Sequence, residues 1–330
     1  MTEVEGMEVA RRYTSLVVCA GAGGMAQGLE RAGFDPVLLL DNRNEACDTL
    51  RLNRPGWHIL QTDLRDFDPI EQGTPDVDLL AAGLPRLRGS AAAARALDPE
   101  NDFELVKATV WLTHAVRPRA ILLDNVPDLA AADVYAELRS FVQAELEHLG
   151  YRLGWYVVNA GDYGVAQDRK HGILVALQRP FFDRFAIPPI TVPRRTVGEV
   201  LRASMRMGGW NRADEWAALA NRPAPTLVGG SWDRGGADLG PTGTKRSWEQ
   251  MGVDGGTIAD AVPGIDFAWN PIGDRSERVR LTVSQAAILQ GFPEEWHVAG
   301  RKTAMYRQIA NAMPPPLAQA LGTAIADAFG

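Results

Sequence analysis

Cysteine is scarce in this chain: only Cys19 and Cys47 occur in 330 residues. Two cysteines argue against a disulfide framework or a cysteine zinc site, and this usage fits a reducing, cytoplasmic compartment. No metal is expected. Apolar runs long enough to span a bilayer are also missing, so no membrane association is expected. Met1 to Arg12 is polar and acidic and lacks the apolar core of an export signal. Positive charge is in deficit as well. Lys and Arg number 34 against 41 Asp and Glu, a net charge of −7. That is a poor match to a chain that binds nucleic acid over its whole surface. The deficit is uneven, however: Arg179 to Arg280 carries +2 and the remainder −9. Local patches decide phosphate contact, so the total does not exclude it.

What is present is ordinary globular material, 46% hydrophobic and 23% charged. The first half alternates strand and helix signals. Strands are predicted at Ser15–Cys19, Val37–Leu40, Asp76–Ala82, Ala120–Leu123, Tyr151–Val158 and Ile173–Leu177. Helices are predicted through Leu29 and Arg31, then at Glu45–Asn53, Phe103–Val116 and Val134–Leu149. Strands separated by helix-length segments imply a largely parallel sheet with helices on both faces. Near Arg179 the pattern breaks, and a Gly-, Pro- and Trp-rich stretch runs to about Glu277. It reads as a second, smaller, loop-rich domain. Helical signals return at Thr282–Gln290, Thr303–Met313 and Leu317–Phe329. The expected division is 1–178 with a C-terminal return at 315–330, then 179–277, with 278–314 as connecting helices.

After the first strand comes the turn Gly21-Ala22-Gly23-Gly24, and then a helix. Such a turn lets a ligand approach the backbone near a helix N-terminus. Asp41, at the end of the second strand, can accept hydrogen bonds from ribose hydroxyls, and Asp63, after the third, could hold an adenine amino group. Taken alone the turn is any tight turn of an α/β protein. The ordered set of turn, Asp41 and Asp63 points to a ligand containing a nucleoside.

The order of segments resembles the DNA (cytosine-5) methyltransferases, over nearly the whole chain. Ala20-Gly21-Ala22-Gly23-Gly24 is similar to that family's S-adenosylmethionine loop. Thr62-Asp63-Leu64-Arg65-Asp66 resembles its third segment, and Ala82-Gly83-Leu84-Pro85 sits where the catalytic loop should be. Asp124-Asn125-Val126-Pro127 resembles the Glu-Asn-Val element, and Gln167-Asp168-Arg169 the Gln-x-Arg-x-Arg element. The most specific matches are Leu289-Gln290-Gly291-Phe292-Pro293 and Tyr306-Arg307-Gln308-Ile309-Ala310-Asn311-Ala312-Met313-Pro314. The resemblance implies a doubly wound α/β fold with a mixed seven-stranded sheet, S-adenosyl-L-methionine as cofactor, and 179–277 as a target-recognition domain. It places the cofactor at Gly21, Ala22, Gly23, Gly24, Asp41, Asp63, Leu64, Gly83, Asn311 and Ala312. It places the catalytic positions at Arg86, Asp124, Asn125, Arg169 and His171.

Those catalytic positions are degenerate. The family's loop reads Pro-Cys, and this chain reads Pro85-Arg86. The cysteine thiolate adds to carbon 6 of a cytosine taken out of the helix. A guanidinium stays protonated and offers donors but no lone pair. Neither Cys19 nor Cys47 is expected to reach the position after Pro85. The family's glutamate is Asp124, and the second arginine of the Gln-x-Arg-x-Arg element is His171. The aromatic residue before the glycine loop is Cys19, the ribose glutamate is Asp41, and the Gly-Asn pair is Ala310-Asn311. Arg86 is expected to turn inward and pair with Asp124. His171 is expected to be an ordinary strand-end histidine with no acid neighbour, and Cys47 a small buried residue.

These readings lead to a homologue inactive in cytosine-5 methylation that binds S-adenosylmethionine, with weakened affinity, and duplex DNA or a partner methyltransferase subunit. The alternative is a methyltransferase for another acceptor that needs no cysteine. Candidate phosphate contacts are Ser90, Arg194, Arg195, Arg234, Lys245 and Arg246. Most of Trp210, Trp216, Trp232, Trp248 and Trp269 are expected to serve packing.

Overall fold

The computed structural model describes residues 12–74, 76–87, 99–190, 192–229 and 236–330. Seven strands form one sheet: β1 (Tyr13–Val18), β2 (Phe34–Asp41), β3 (Ile59–Gln61), β4 (Leu79–Gly83), β5 (Ala120–Asn125), β6 (Tyr151–Asn159) and β8 (Lys170–Gln178). Their spatial order is β3-β2-β1-β4-β5-β8-β6. The pairs from β3 through β5 are parallel, and β8 runs antiparallel to both β5 and β6. The sheet is therefore mixed, and its single reversed strand comes from the β6–β8 hairpin.

The strand sequences explain the layering. Leu-Val-Val, Leu-Leu-Leu and Ile-Leu-Leu are unbroken apolar runs, as expected where both faces of a sheet are covered. Successive side chains alternate faces. Leu16, Val18, Leu38, Leu40, Leu80 and Ala82 join one core, with Val106 and Val110 of α3 (Pro99–Val116) and Val142 of α5 (Ala136–His148). Val17, Leu39, Leu79 and Ala81 join the other, with Leu29 of α1 (Gly24–Arg31) and Leu317, Leu321 and Ile325 of α11 (Pro315–Phe329). Between these helices lie α2 (Asn44–Asn53) and α4 (Pro127–Ala131).

A third core belongs to the second half of the chain. It gathers Val197, Leu201, Trp210, Trp216, Trp248, Trp269, Leu289, Tyr306 and Ile309. Three helices lie in the stretch that reads as loop: α6 (Val197–Arg206), α7 (Ala213–Leu219) and α8 (Thr242–Glu249). Thr196 caps α6, and Glu199 closes a capping box with it. The helices α9 (Val283–Leu289) and α10 (Lys302–Asn311) share this core as well as connecting back to the sheet. A short ladder of β7 (Gln167–Asp168) with β9 (Ala224–Pro225) ties it to the sheet.

Connections leave β1 and β4, adjacent strands, toward opposite edges of the sheet. A cleft opens at such a switch point, beyond the carboxyl ends of the strands. Among the described residues no helix is long and apolar enough to cross a membrane.

Candidate cofactor and base site

One cavity of about 560 Å³ occupies that cleft. Its walls include Gly21, Ala22, Gly24, Asp41, Asp63, Leu64, Gly83, Asn311 and Ala312, and also Arg86 and Asp124. Nine of the ten positions assigned to the cofactor therefore share one space with the first two assigned to catalysis. The exception is Gly23, which serves the turn. Its φ of 83° opens α1, and a Cβ there would lie 2.7 Å from Leu50 Cδ2.

The glycine loop is held by Asp41. Its Oδ2 accepts from Gly21 N at 2.8 Å and its Oδ1 from Arg43 N at 2.9 Å. Burial outweighs these bonds and raises the Asp41 carboxyl above its ordinary range. A carboxylate retains further lone pairs, so ribose hydroxyls can still be accepted. Asp63 is more heavily engaged. Arg65 forks it, Nε to Oδ1 and Nη2 to Oδ2, both at 2.8 Å, and Asn42 Nδ2 adds a bond at 3.3 Å. The Arg65 bond holds the Asp63 carboxyl well below the usual range. An adenine amino group would have to displace one of these donors; Arg65 is half exposed, which makes its pair the cheaper to open.

The chain fits a nucleoside cofactor on its own geometry. A Cβ on Gly21 would meet no atom within 4 Å, so the loop faces open space. Asn311 reaches the same wall, where its side chain packs on Gly229 of the second half. Cys19, which also lines the cavity, has a φ of 51°. The left-handed region costs a non-glycine residue roughly 1–2 kcal/mol.

At the inner end, β5 and β8 bring the remaining positions together. Asn125 clamps the loop that carries Arg86. Its Nδ2 donates to Pro85 O at 3.1 Å, and its Oδ1 accepts from Leu87 N at 2.9 Å. Arg86 is thereby turned inward, and its Nη2 is buried without a hydrogen-bond partner. The expected pair with Asp124 does not form: among the described residues no ion pair joins them, and Asp124 Oδ1 is instead 2.7 Å from His171 Nδ1. His171 does have an acid neighbour, contrary to expectation, because strand register sets it near β5 on a fully buried stretch. Its other nitrogen, Nε2, accepts from Arg169 Nε at 3.3 Å. These partners fix one tautomer, with the proton on Nδ1. Burial, aided by Arg86 and Arg169, lowers the imidazole's proton affinity despite Asp124.

Arg169 is fully buried and donates from Nη1 to Leu227 O at 2.9 Å, while its Nη2 has no partner. Gln167 fixes the same loop, accepting from Leu227 N at 2.8 Å and donating to Gln290 Oε1 at 2.8 Å. Gln167 and Gln290 were legible only as motif letters; their mutual bond could not be read from either segment. Arg307, of the C-terminal motif, also lines the cavity, as do Val228 and Leu105, which nothing in the sequence singled out. Asn125, Arg169 and His171 support its wall from behind.

Neither thiol belongs to the Pro85–Arg86 loop, although Cys19 adjoins Gly83 just before it. Cys19 lines the cavity next to the glycine loop, and burial with Asp41 and Asp63 nearby pushes its thiol up to about 12. Cys47 is fully buried, its Sγ 3.5 Å from Asp41 O, and burial pushes it up to about 11. Of the phosphate candidates, Arg194 pairs with Asp162 at 2.7 Å and Lys245 with Asp238 at 2.9 Å, while Arg195 and Arg246 are exposed. Ser90 and Arg234 lie outside the described residues, as does Trp232. Trp210, Trp216, Trp248 and Trp269 are buried. The described residues hold no group of three or more His, Cys, Asp and Glu placed for a metal.

Comparison with known proteins agrees with this geometry. The profile of C-5 cytosine-specific DNA methylases matches residues 13–327. The chain is 41% identical over 314 residues to the type II methyltransferase M.NaeI of Lentzea aerocolonigenes, covering 93% of this chain and 73% of that one. It is 37% identical over 326 residues to M.NgoMIV of Neisseria gonorrhoeae, covering 96% and 98%. Among solved structures, a mutant of Spodoptera frugiperda DNMT2 superposes with a TM-score of 0.64 at 12% identity, covering 95% of this chain and 99% of that one. The methyltransferase EhMeth of Entamoeba histolytica gives 0.65 at 12%, covering 97% and 99%. Structural likeness at such identity speaks for the fold, that of S-adenosylmethionine-dependent methyltransferases. The family whose cofactor is S-adenosyl-L-methionine, and whose glycine-loop and Gln-Ile-Ala-Asn segments here wall a single cleft with the Gln-x-Arg segment behind it, is the one to which this chain belongs: the C-5 cytosine-specific DNA methylases.

Proposed function

We propose that this chain binds S-adenosylmethionine, and duplex DNA or a partner methyltransferase subunit through its second half, without methylating cytosine at carbon 5. The observation that carries the reading is Arg86. It follows Pro85, where the family's nucleophilic cysteine is expected, and Asn125 holds that loop so that the guanidinium occupies the base end of the cavity. Addition to a pyrimidine ring needs an electron pair, and a guanidinium has none to give. The two thiols belong to other segments and are held protonated. Asp124 adds a second difference. It is shorter than glutamate, and His171 already holds one of its oxygens. A misplacement of about 1 Å can cost on the order of a hundredfold in rate. The loss of the stacking ring at Cys19 supports weakened cofactor affinity, worth roughly 1–3 kcal/mol for one such contact.

The retained cofactor cleft favours one second reading, a methyltransferase whose acceptor is a lone pair and needs no cysteine. One assay addresses both. The full chain, free of other modifying enzymes, is incubated with tritiated-methyl donor and duplex DNA, RNA or pooled small metabolites, and the nucleosides are resolved. No 5-methylcytosine is expected. Its recovery would overturn the proposal, and label on another atom would establish the second reading.

A further inference from the structure

The inner end of the cleft holds more positive than negative charge. Arg86 and Arg169 bring two guanidinium groups, and Asp124 brings the carboxylate that faces them. Asp124 is committed to His171 at 2.7 Å, and His171 is neutral in the tautomer its partners impose. The Nη2 atoms of both arginines are buried with no acceptor. Arg169 stands behind the wall, while Arg86 forms part of it. Among the described residues no ion pair is formed by Arg86, so its charge in the cavity wall is offset only at a distance, by Asp124.

That charge matters to whatever shares the space. S-adenosylmethionine carries a sulfonium cation; its demethylated product, S-adenosylhomocysteine, carries a neutral thioether in the same place. A nucleoside seated at Asp41 and Asp63 leaves its sulfur facing the rest of the cavity, which Gly83, Pro85, Arg86 and Asp124 close. We infer that Arg86 makes this cleft a site that discriminates against the cationic methyl donor and favours the neutral product. The inference rests on the reading that the chain still binds the cofactor.

The size of the effect follows from elementary electrostatics. Two unit charges ~8 Å apart at an effective dielectric of ~20 change a binding ratio by roughly thirtyfold. Water admitted through the mouth of the cleft reduces this, so about tenfold is the expectation. Arg86 is a guanidinium, which holds its proton in proteins. The contribution is separate from the stacking lost at Cys19, because the adenosine is the same in both ligands and the missing ring affects them alike.

The test is calorimetric and needs no turnover. Dissociation constants for S-adenosylmethionine and S-adenosylhomocysteine are measured on the unmodified full chain, on Arg86→Gln, a shorter polar side chain that keeps an N–H donor group without the charge, and on Arg86→Lys, which keeps the charge. The unmodified chain and Arg86→Lys are expected to favour the neutral ligand about tenfold more than Arg86→Gln does. An equal ratio in the unmodified chain and Arg86→Gln overturns the inference and leaves cofactor binding standing. Tighter binding of the cation than of the thioether by the unmodified chain overturns it without reference to any variant. If neither ligand binds any of the three folded proteins, the inference and the reading beneath it fall together.

Discussion

His171 has its protonation settled by two neighbours. Arg169 Nε donates into its Nε2, so a proton added there would face another donor, and Asp124 already takes the proton on Nδ1. Burial lowers its affinity for a second proton below that of an unfolded histidine. The consequence for stability has a definite sign. Below the unfolded value of ~6.5, the unfolded chain binds a proton that the folded chain refuses. Stability is therefore complete above that pH and declines as pH falls from ~6.5 toward the lower folded value. Urea unfolding at a series of pH values should show this decline, and His171→Asn should flatten it. The other four histidines are exposed or half-buried, which makes the difference attributable to one site. An unaltered slope in the variant would mean that His171 titrates normally.

At the scale of elements, the cleft depends on how closely α1 and α11 approach. A Cβ on Gly28 would lie 2.3 Å from Pro315 O and 2.6 Å from Ala318 Cβ. Two effects oppose each other on replacing it with alanine. Helix propensity gains about 1 kcal/mol, and forcing a methyl into a packed contact costs typically about 1–3 kcal/mol. Backbone and a Cβ fixed to it yield little, so Gly28→Ala is expected to lower stability by about 1–2 kcal/mol in denaturant unfolding. A neutral or stabilised variant would show that the helices can part cheaply. The same reasoning separates what the sequence disclosed from what it hid. The strands of the sheet were legible because their apolar runs are continuous and bounded by turn residues. Helix α6 was hidden by its own glycine: Gly198 reads as a breaker, yet it is there because a Cβ would lie 2.0 Å from Ala217 O of α7. Thr196 and Glu199 carried a legible capping signature that the surrounding Gly and Pro outweighed. The Asp124–His171 pair was illegible for another reason. The two residues are 47 apart in sequence, and only the β5–β8 register sets them side by side.

For the molecule as a whole, charge is the quantity that decides how it meets DNA. The net charge of −7 is general, while the second half carries a slight positive excess. Much of that excess is already spent internally: Asp254 takes both Arg275 and Arg280, Asp162 takes Arg194, and Glu215 takes Arg212. Few cations are left for phosphates, so duplex affinity should depend on salt only moderately. A slope of log K against log salt of about −4 or shallower is expected, corresponding to some four or five phosphates. Fluorescence anisotropy across a salt series would measure it. Binding that is absent, or indifferent to salt, would count against a nucleic-acid role and leave the partner subunit as the occupant.

The two ends of the described chain meet, and this has a temporal side. Arg307, Gln308, Asn311, Ala312 and Met313 wall the cleft whose floor is laid down by Gly21 and Asp41, and α11 then braces α1 from behind. A ribosome adds roughly 5–20 residues per second from the N-terminus, so hundreds of residues separate the making of the floor from the making of the wall. Throughout that interval the nascent polypeptide has a nucleotide-style loop faced only by the wall from Gly83 to Asp124. The pocket is completed only with the last helices, so its full set of contacts becomes available to a ligand late in synthesis.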